Sequence, residues 1–204
     1  MLQTRTVEPG TLELLKRLML LPVLEPFLLV GGTALALQLG HRKSIDLDLF
    51  TPEPFNNATL LDTLASDFEV SIELDEPNML ITNIEGIKVD FVKMGYPILF
   101  PTILIEGVRM LDLRDIAPMK LKAIAQRGSK KDFFDIHFLM DQLQLETMIS
   151  LFQQKFKMHE VFHIVKSLTY FEDAEQSANP VVFDKSVTWQ KVKNSINGAV
   201  KKMK

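Results

Sequence analysis

The stretch Ser44-Ile45-Asp46-Leu47-Asp48-Leu49-Phe50 constrains this chain more than any other part of it. It alternates with the period of a β-strand, in which successive side chains point to opposite faces. Ile45, Leu47 and Leu49 then enter the core, while Asp46 and Asp48 share the other face, with Arg42 and Ser44 continuing it. Two carboxylates side by side repel, and burying them without a positive partner is unfavourable. Such a strand either lies half-exposed or carries a cation. With oxygen donors and no cysteine anywhere in the chain, Mg²⁺ or Mn²⁺ suits the pair better than zinc. Taken alone, Asp-x-Asp is more often a surface pair than a metal site.

Two further features shift that balance. Gly31-Gly32 follows the apolar run Phe27–Val30 and opens the Ala/Leu-rich segment Thr33–Leu39, which reads as strand, tight turn and helix. Without a Cβ, backbone approaches a phosphate closely, and a helix N-terminus offers free N–H groups to an anion. Asp90 lies between Val89 and Phe91 in Ile87–Val92, a second strand-like run. Three strand carboxylates can hold two metal ions about 4 Å apart, the arrangement used in phosphoryl transfer.

The remaining chain bounds the fold class. Its 204 residues, 47% hydrophobic and 24% charged, are enough for a sizeable core. A net charge of −3 excludes a basic nucleic-acid coat. The lysines at 191, 193, 201, 202 and 204 read as a solvated helix end. No signal peptide is visible, and Leu18–Gly40 is broken by Pro22, Pro26 and the Gly pair, so no membrane span is expected. Helical spacing marks Leu12–Met19 and Asn57–Phe68, with strand-like runs at Glu69–Leu74, Met79–Asn83, Ile87–Val92 and Val108–Leu111 and a turn at Glu85-Gly86. After Asp112 the pattern is helical, over 116–126, 129–143, 145–156, 161–171 and 187–200, with a loop at 172–180. The expectation is an α+β fold, with an α/β core over 1–111 and a helical region over 112–204.

"GGTALAL", "RKSIDLDLF" and "MKLKAIAQRGSKKDFFDIHFL" together carry a resemblance. A Gly-Gly pair, Arg-x-Ser-x-Asp-x-Asp and a later strand Asp resemble the nucleotidyltransferase superfamily of DNA polymerase beta. With the helix Lys, Arg and Lys-Asp-x-x-Asp that follow, the chain is more narrowly similar to the AbiEii/AbiGii toxin-type nucleotidyltransferases over residues 27–143. That resemblance implies a nucleotidyltransferase fold, a small mixed sheet flanked by helices. It also implies a cytoplasmic enzyme moving NMP from an Mg²⁺- or Mn²⁺-bound nucleoside triphosphate to an acceptor, with RNA (tRNA especially) as acceptor and a separately encoded antitoxin. Asp46, Asp48 and Asp90 would hold metal and, with Lys120 and Asp132, act in catalysis. Gly31, Gly32, Thr33, Arg42, Ser44, Lys120 and Arg127 would bind nucleotide.

The helical motif also has a plain physical reading. Lys120 and Arg127 lie two turns apart on one helix face, suited to neutralising a triphosphate and its leaving pyrophosphate. Asp132 follows Ser129 at capping-box spacing, and Asp135 pairs equally well with Arg127 or Lys131 as with substrate. His137, His159, His163 and Trp189 read as structural, and His41 has no assigned role. Two rivals share these residues: a small-molecule adenylyltransferase with Glu73, Asp75 and Glu76 as acceptor pocket, and a non-catalytic nucleotide-binding module.

Overall fold

A computed structural model of the chain describes residues 1–203. Helix α1 (Pro9–Met19) begins on a proline, whose missing N–H is not needed at that position, and buries Leu14, Leu15 and Leu18. Strand β1 (Leu28–Leu29) is fully buried and runs into α2 (Gly31–Leu39), which ends where Gly40 turns left-handed. Strand β2 (Leu47–Thr51) follows, then α3 (Asn57–Asp67), capped by the Asn56 side chain accepting from the Thr59 amide. Strands β3 (Val70–Glu76), β4 (Met79–Ile84) and β5 (Ile87–Lys93) form a meander. Its second turn uses Glu85 and Gly86, both with positive φ, the geometry that matches strand twist.

A short hairpin, β6 (Ile103–Ile105) and β7 (Val108–Met110), completes the strands. The helices that follow are α4 (Leu113–Arg127), α5 (Lys130–Leu139), α6 (Leu145–Phe156), α7 (Phe162–Ser167), α8 (Glu172–Glu175) and α9 (Trp189–Lys202). The sheet is mixed, in the order β3-β4-β5-β2-β1-β7-β6. Sequence-adjacent β4 and β5 pair antiparallel, whereas β2 and β5 lie parallel at its centre. Trp189 packs against Phe133, Phe134 and Phe171, an anchor for α9 rather than a base-stacking residue. No described helix is long and apolar enough to cross a membrane.

Several expectations need correction. The central strand begins at Leu47, not Ser44, and Ile45 is 63% exposed instead of entering the core. The Thr33 hydroxyl donates to the Asp46 carbonyl, and the Ser44 amide donates to the Thr6 carbonyl, so residues 44–46 are held away from the ladder. Residues 103–105 form an edge strand that was not anticipated. The expected 161–171 helix stops at Ser167, and 172–175 is helical rather than loop. Ser129 begins α5 without a side-chain cap bond, because Asp132 is turned inward to other partners. Lys204, one of the expected C-terminal lysines, lies outside the described residues.

Two ties fasten the later helices to the segments that follow α2 and β5. Residues 41–43 and 181–183 run antiparallel, with Lys43 N–H donating to the Val181 carbonyl at 2.8 Å and Phe183 N–H to the His41 carbonyl at 3.0 Å. The second tie is a fully buried ion pair: Lys155 Nζ on α6 lies 2.6 Å from Asp115 Oδ1 on α4 and 2.9 Å from the Pro97 carbonyl. Asp115 also accepts from the Leu99 and Phe100 amides. Removing one partner of such a pair strands a buried charge. Lys155→Met is therefore expected to lower stability by about 3–5 kcal/mol in urea titrations. A loss under about 1 kcal/mol would show that the two amides alone satisfy Asp115.

Candidate active site

The site is built from the register of two parallel strands. β2 and β5 oppose Leu47 to Val89, Asp48 to Asp90 and Leu49 to Phe91. Residues opposed across a ladder share a face, so the four apolar side chains fill the core and the two carboxylates stand side by side on the other face. Asp46 joins them from the segment just before β2.

The turn into α2 closes over this face. Gly31 has φ +69°, and a Cβ there would stand 2.1 Å from Asp48 Oδ2. A Cβ on Gly32 would stand 2.6 Å from the Arg42 guanidinium. Both glycines are therefore required by close approach, and Gly31 by its backbone conformation as well. The Val30 amide donates to the Asp48 carbonyl at 2.8 Å, fixing the helix start against the strand. No side chain caps α2, so its first-turn amides are available to a ligand.

The third wall is a buried charge network. Asp135, with no exposed surface, accepts two bonds from the Arg42 guanidinium at 2.6 and 2.9 Å; Lys120 Nζ lies 2.7 Å and His41 Nε2 2.7 Å away. Asp132 is equally buried and takes a bidentate pair from Arg127 at 2.8 and 2.9 Å, with Lys120 Nζ at 3.1 Å. Burial pushes the Asp135 carboxyl up, but Lys120, Arg42 and the bonds from Arg42 and His41 outweigh it and hold it well below the ordinary range. Asp132 is lowered likewise, by Lys120 and Arg127 against its burial. Lys120 is driven down by burial and up, more strongly, by Asp135 and Asp132, so its ammonium stays charged. Two of its three donors are committed and one remains.

Gly31, Gly32, Arg42, Ser44, Asp46, Asp48, Asp90, Lys120 and Arg127 line one cleft, joined by Lys88 and Lys131. Thr33 does not reach it; its hydroxyl is spent on Ser44 and the Asp46 carbonyl. Asp132 does not reach it either, because Lys120 and Arg127 enclose it. Glu73, Asp75 and Glu76 stand on β3 at the edge of the sheet and do not line the cleft. Lys88 is betrayed by its spacing two residues before Asp90, on the same strand face. His41 and its partner Asp135 are 94 residues apart in sequence, with no local signal joining them.

The carboxylate face is short of positive charge. Burial, and then the charge of Asp90, raise the Asp48 carboxyl above its ordinary value. Asp90 Oδ1 is buried with no hydrogen-bond partner. Among the described residues no three acidic or histidine side chains form a closed metal cage. Mg²⁺ does not require such a cage: it takes one or two carboxylates and fills its shell with water and substrate phosphate. The oxygen-only donors and the bare Asp90 oxygen fit such an ion.

The chain is similar to known proteins in sequence and in fold. Residues 13–202 match the family model described as nucleotidyl transferase AbiEii toxin, type IV TA system. The uncharacterized protein aq_aa25 of Aquifex aeolicus (strain VF5) is 37% identical over 195 residues, covering 93% of each chain. A nucleotidyltransferase candidate from H. pylori aligns with TM-score 0.59 at 21% identity, covering 95% of this chain and 94% of its own. MenT4, a nucleotidyltransferase toxin from Mycobacterium tuberculosis H37Rv, aligns with TM-score 0.55 at 15% identity, covering 94% and 84%. At these identities the two solved structures share the fold.

Two stability outcomes follow from the site. The folded chain binds a proton at Asp48 more tightly than the unfolded chain does. Ionised Asp48 therefore subtracts stability above its raised pKa, and the loss disappears as pH falls through that value. Asp132 and Asp135 behave oppositely, adding stability that is lost only as pH falls through their lowered values. Asp48→Asn is expected to raise stability in EDTA at neutral pH by roughly 0.5–2 kcal/mol, a gain that shrinks on acidification; urea titrations at two pH values measure it. Gly31→Ala is expected to lose at least roughly 1–3 kcal/mol for its left-handed backbone alone, read as a fall in Tm.

Proposed function

The chain belongs to the AbiEii family of nucleotidyl transferase toxins of type IV toxin–antitoxin systems, and from that premise we propose that it transfers NMP from a magnesium-bound nucleoside triphosphate to an RNA acceptor. The observation that carries this reading is the Asp48–Asp90 register beneath the uncapped start of α2. It sets paired anionic ligands against an anion-binding helix end, the two halves of a site for a metal–triphosphate complex.

Each residue then has a task. Asp46, Asp48 and Asp90 would hold Mg²⁺ or Mn²⁺, which when bound supplies Lewis-acid charge and lowers the pKa of the attacking hydroxyl. The amides of Gly31 and Gly32, with Ser44, cradle the terminal phosphates. Arg42, the free donor of Lys120 and the half-exposed Arg127 guanidinium neutralise the pyrophosphate as it leaves. The acceptor oxygen forms a bond to the α-phosphorus, the bond to the β-phosphate oxygen breaks in line, and the hydroxyl proton passes to Asp90. Asp132 acts one step removed, by orienting Lys120 and Arg127, and Thr33 by holding Ser44.

RNA is favoured as acceptor by the basic rim of Lys88, Arg127 and Lys131, which suits a phosphate backbone. The Glu73, Asp75 and Glu76 pocket needed by a small cationic acceptor is absent from the cleft. The reading places the enzyme in the cytoplasm, held in check by a separately encoded antitoxin.

The test uses each α-labelled triphosphate with Mg²⁺ or Mn²⁺, total bacterial RNA and, separately, protein. Wild type is expected to label RNA and release pyrophosphate. Asp90→Ala is expected to keep triphosphate binding within about tenfold, about 1.4 kcal/mol, yet lose transfer by at least about a hundredfold. Label on protein alone would overturn the RNA assignment. No label on any acceptor would overturn the proposed reaction.

A further inference from the structure

The cations that sequence spacing aims at the carboxylate face are committed elsewhere. Lys120 is held by Asp132 and Asp135, Arg42 by Asp135 and Arg127 by Asp132. Among the described residues, Lys88 is the one cation within ion-pair distance of Asp46, Asp48 or Asp90. Its Nζ lies 3.1 Å from Asp90 Oδ2, with the two side chains 41% and 20% exposed. The other Asp90 oxygen is the buried one without a partner. One oxygen of this carboxylate is thus covered by an ammonium and the other is bare.

We propose that Lys88 is a displaceable counter-cation for Asp90: it holds that carboxylate while no divalent ion is bound and yields it when one arrives. The inference rests on the reading of Asp46, Asp48 and Asp90 as divalent-ion ligands. An ammonium and a metal ion cannot occupy the same side of one carboxylate oxygen, so an ion held by both Asp90 oxygens, the bare Oδ1 and the covered Oδ2, must break the pair. The pair is partly exposed, which makes it weak enough to break. The long, flexible lysine stem gives the ammonium somewhere to go. Lys88 also borders a shallow groove outside the cleft, formed with Ile45, Ile87 and Asp46. Turned toward that groove, the ammonium lies beside the cleft rather than in it. It is then released only when the ion is in place, so one side chain neutralises the carboxylate before the ion arrives and clears it afterwards.

A positive charge beside a cation site weakens ion binding whether or not it is paired, so the test compares the gain on removing Lys88 with and without its Asp90 partner. The probe is Mn²⁺ alone, titrated into the full chain without nucleotide and followed by the electron paramagnetic resonance of free Mn²⁺. Lys88→Met is expected to bind Mn²⁺ about threefold to tenfold more tightly than wild type, since no pair has to be broken. Lys88→Arg keeps the cation and is expected to bind as wild type does. In an Asp90→Asn background, Lys88→Met is expected to gain clearly less, about twofold or under, since only the general effect of its charge remains. The metal-free Tm of Lys88→Met should fall below wild type and recover at saturating Mn²⁺, with far-UV circular dichroism confirming the fold. Unchanged or weaker Mn²⁺ binding by Lys88→Met, or an equal gain with and without Asp90, overturns the counter-cation role alone. If wild type binds no Mn²⁺ at millimolar concentration, the divalent-ion reading falls and the inference falls with it.

Discussion

Asp135 is the interaction on which the rest of the cleft depends. It is wholly buried, and the groups it engages come from separate parts of the chain: His41 and Arg42 from the segment between α2 and β2, and Lys120 from α4. Leaving a buried carboxylate unpaired is so unfavourable that these groups must stay on it, and their arrangement is set accordingly. Arg42 in turn limits Gly32 to a residue without a Cβ. The glycine turn, the basic wall and the entry of α5 are thus one electrostatic unit, extended through Lys120 to Asp132 and Arg127.

The two sets of acids in this protein are treated oppositely. Asp132 and Asp135 are given more partners than they need and sit below their ordinary pKa range. Asp48 and Asp90 lie side by side on the sheet with one lysine paired to Asp90 alone, and Asp48 is pushed up. A fold that satisfies one cluster so fully and leaves the other wanting fits the proposal that a cation completes the second. Imperfect satisfaction at one place in an otherwise consistent structure is the usual mark of a functional site.

Much of this was legible in the sequence because it is local. Alternation gave the two aspartates a common face, Gly31-Gly32 announced a strand–helix turn, and Val-Asp-Phe flagged Asp90 in a strand core. The α+β class and most element positions followed from periodicity and turn residues. What was not legible is long-range. The Asp48–Asp90 register joins strands separated by α3, β3 and β4. Two of the Asp135 partners, His41 and Arg42, are more than ninety residues away, and Lys120 lies on the preceding helix, so spacing alone points to a local pair with Arg127 or Lys131. Ile45 fits the strand pattern perfectly and still faces solvent, because Thr33 and Thr6 capture the backbone around it. Asp132 matched a capping box, but Lys120 and Arg127 offered a buried carboxylate more than a cap could.

The short antiparallel pairing of residues 41–43 with 181–183 has a mechanical consequence. The backbone on either side of Arg42 is hydrogen-bonded to a strap that lies between α8 and α9, so the last quarter of the chain is moored to the segment behind the cleft rather than hanging as an appendage. Any agent that peels this mooring away, whether a protease nicking the strap or a binding protein prising up α9, slackens the one segment that carries both Arg42 and His41. That segment is thus anchored from two sides, inwardly by Asp135 and outwardly by a stretch of chain that does not itself line the cleft.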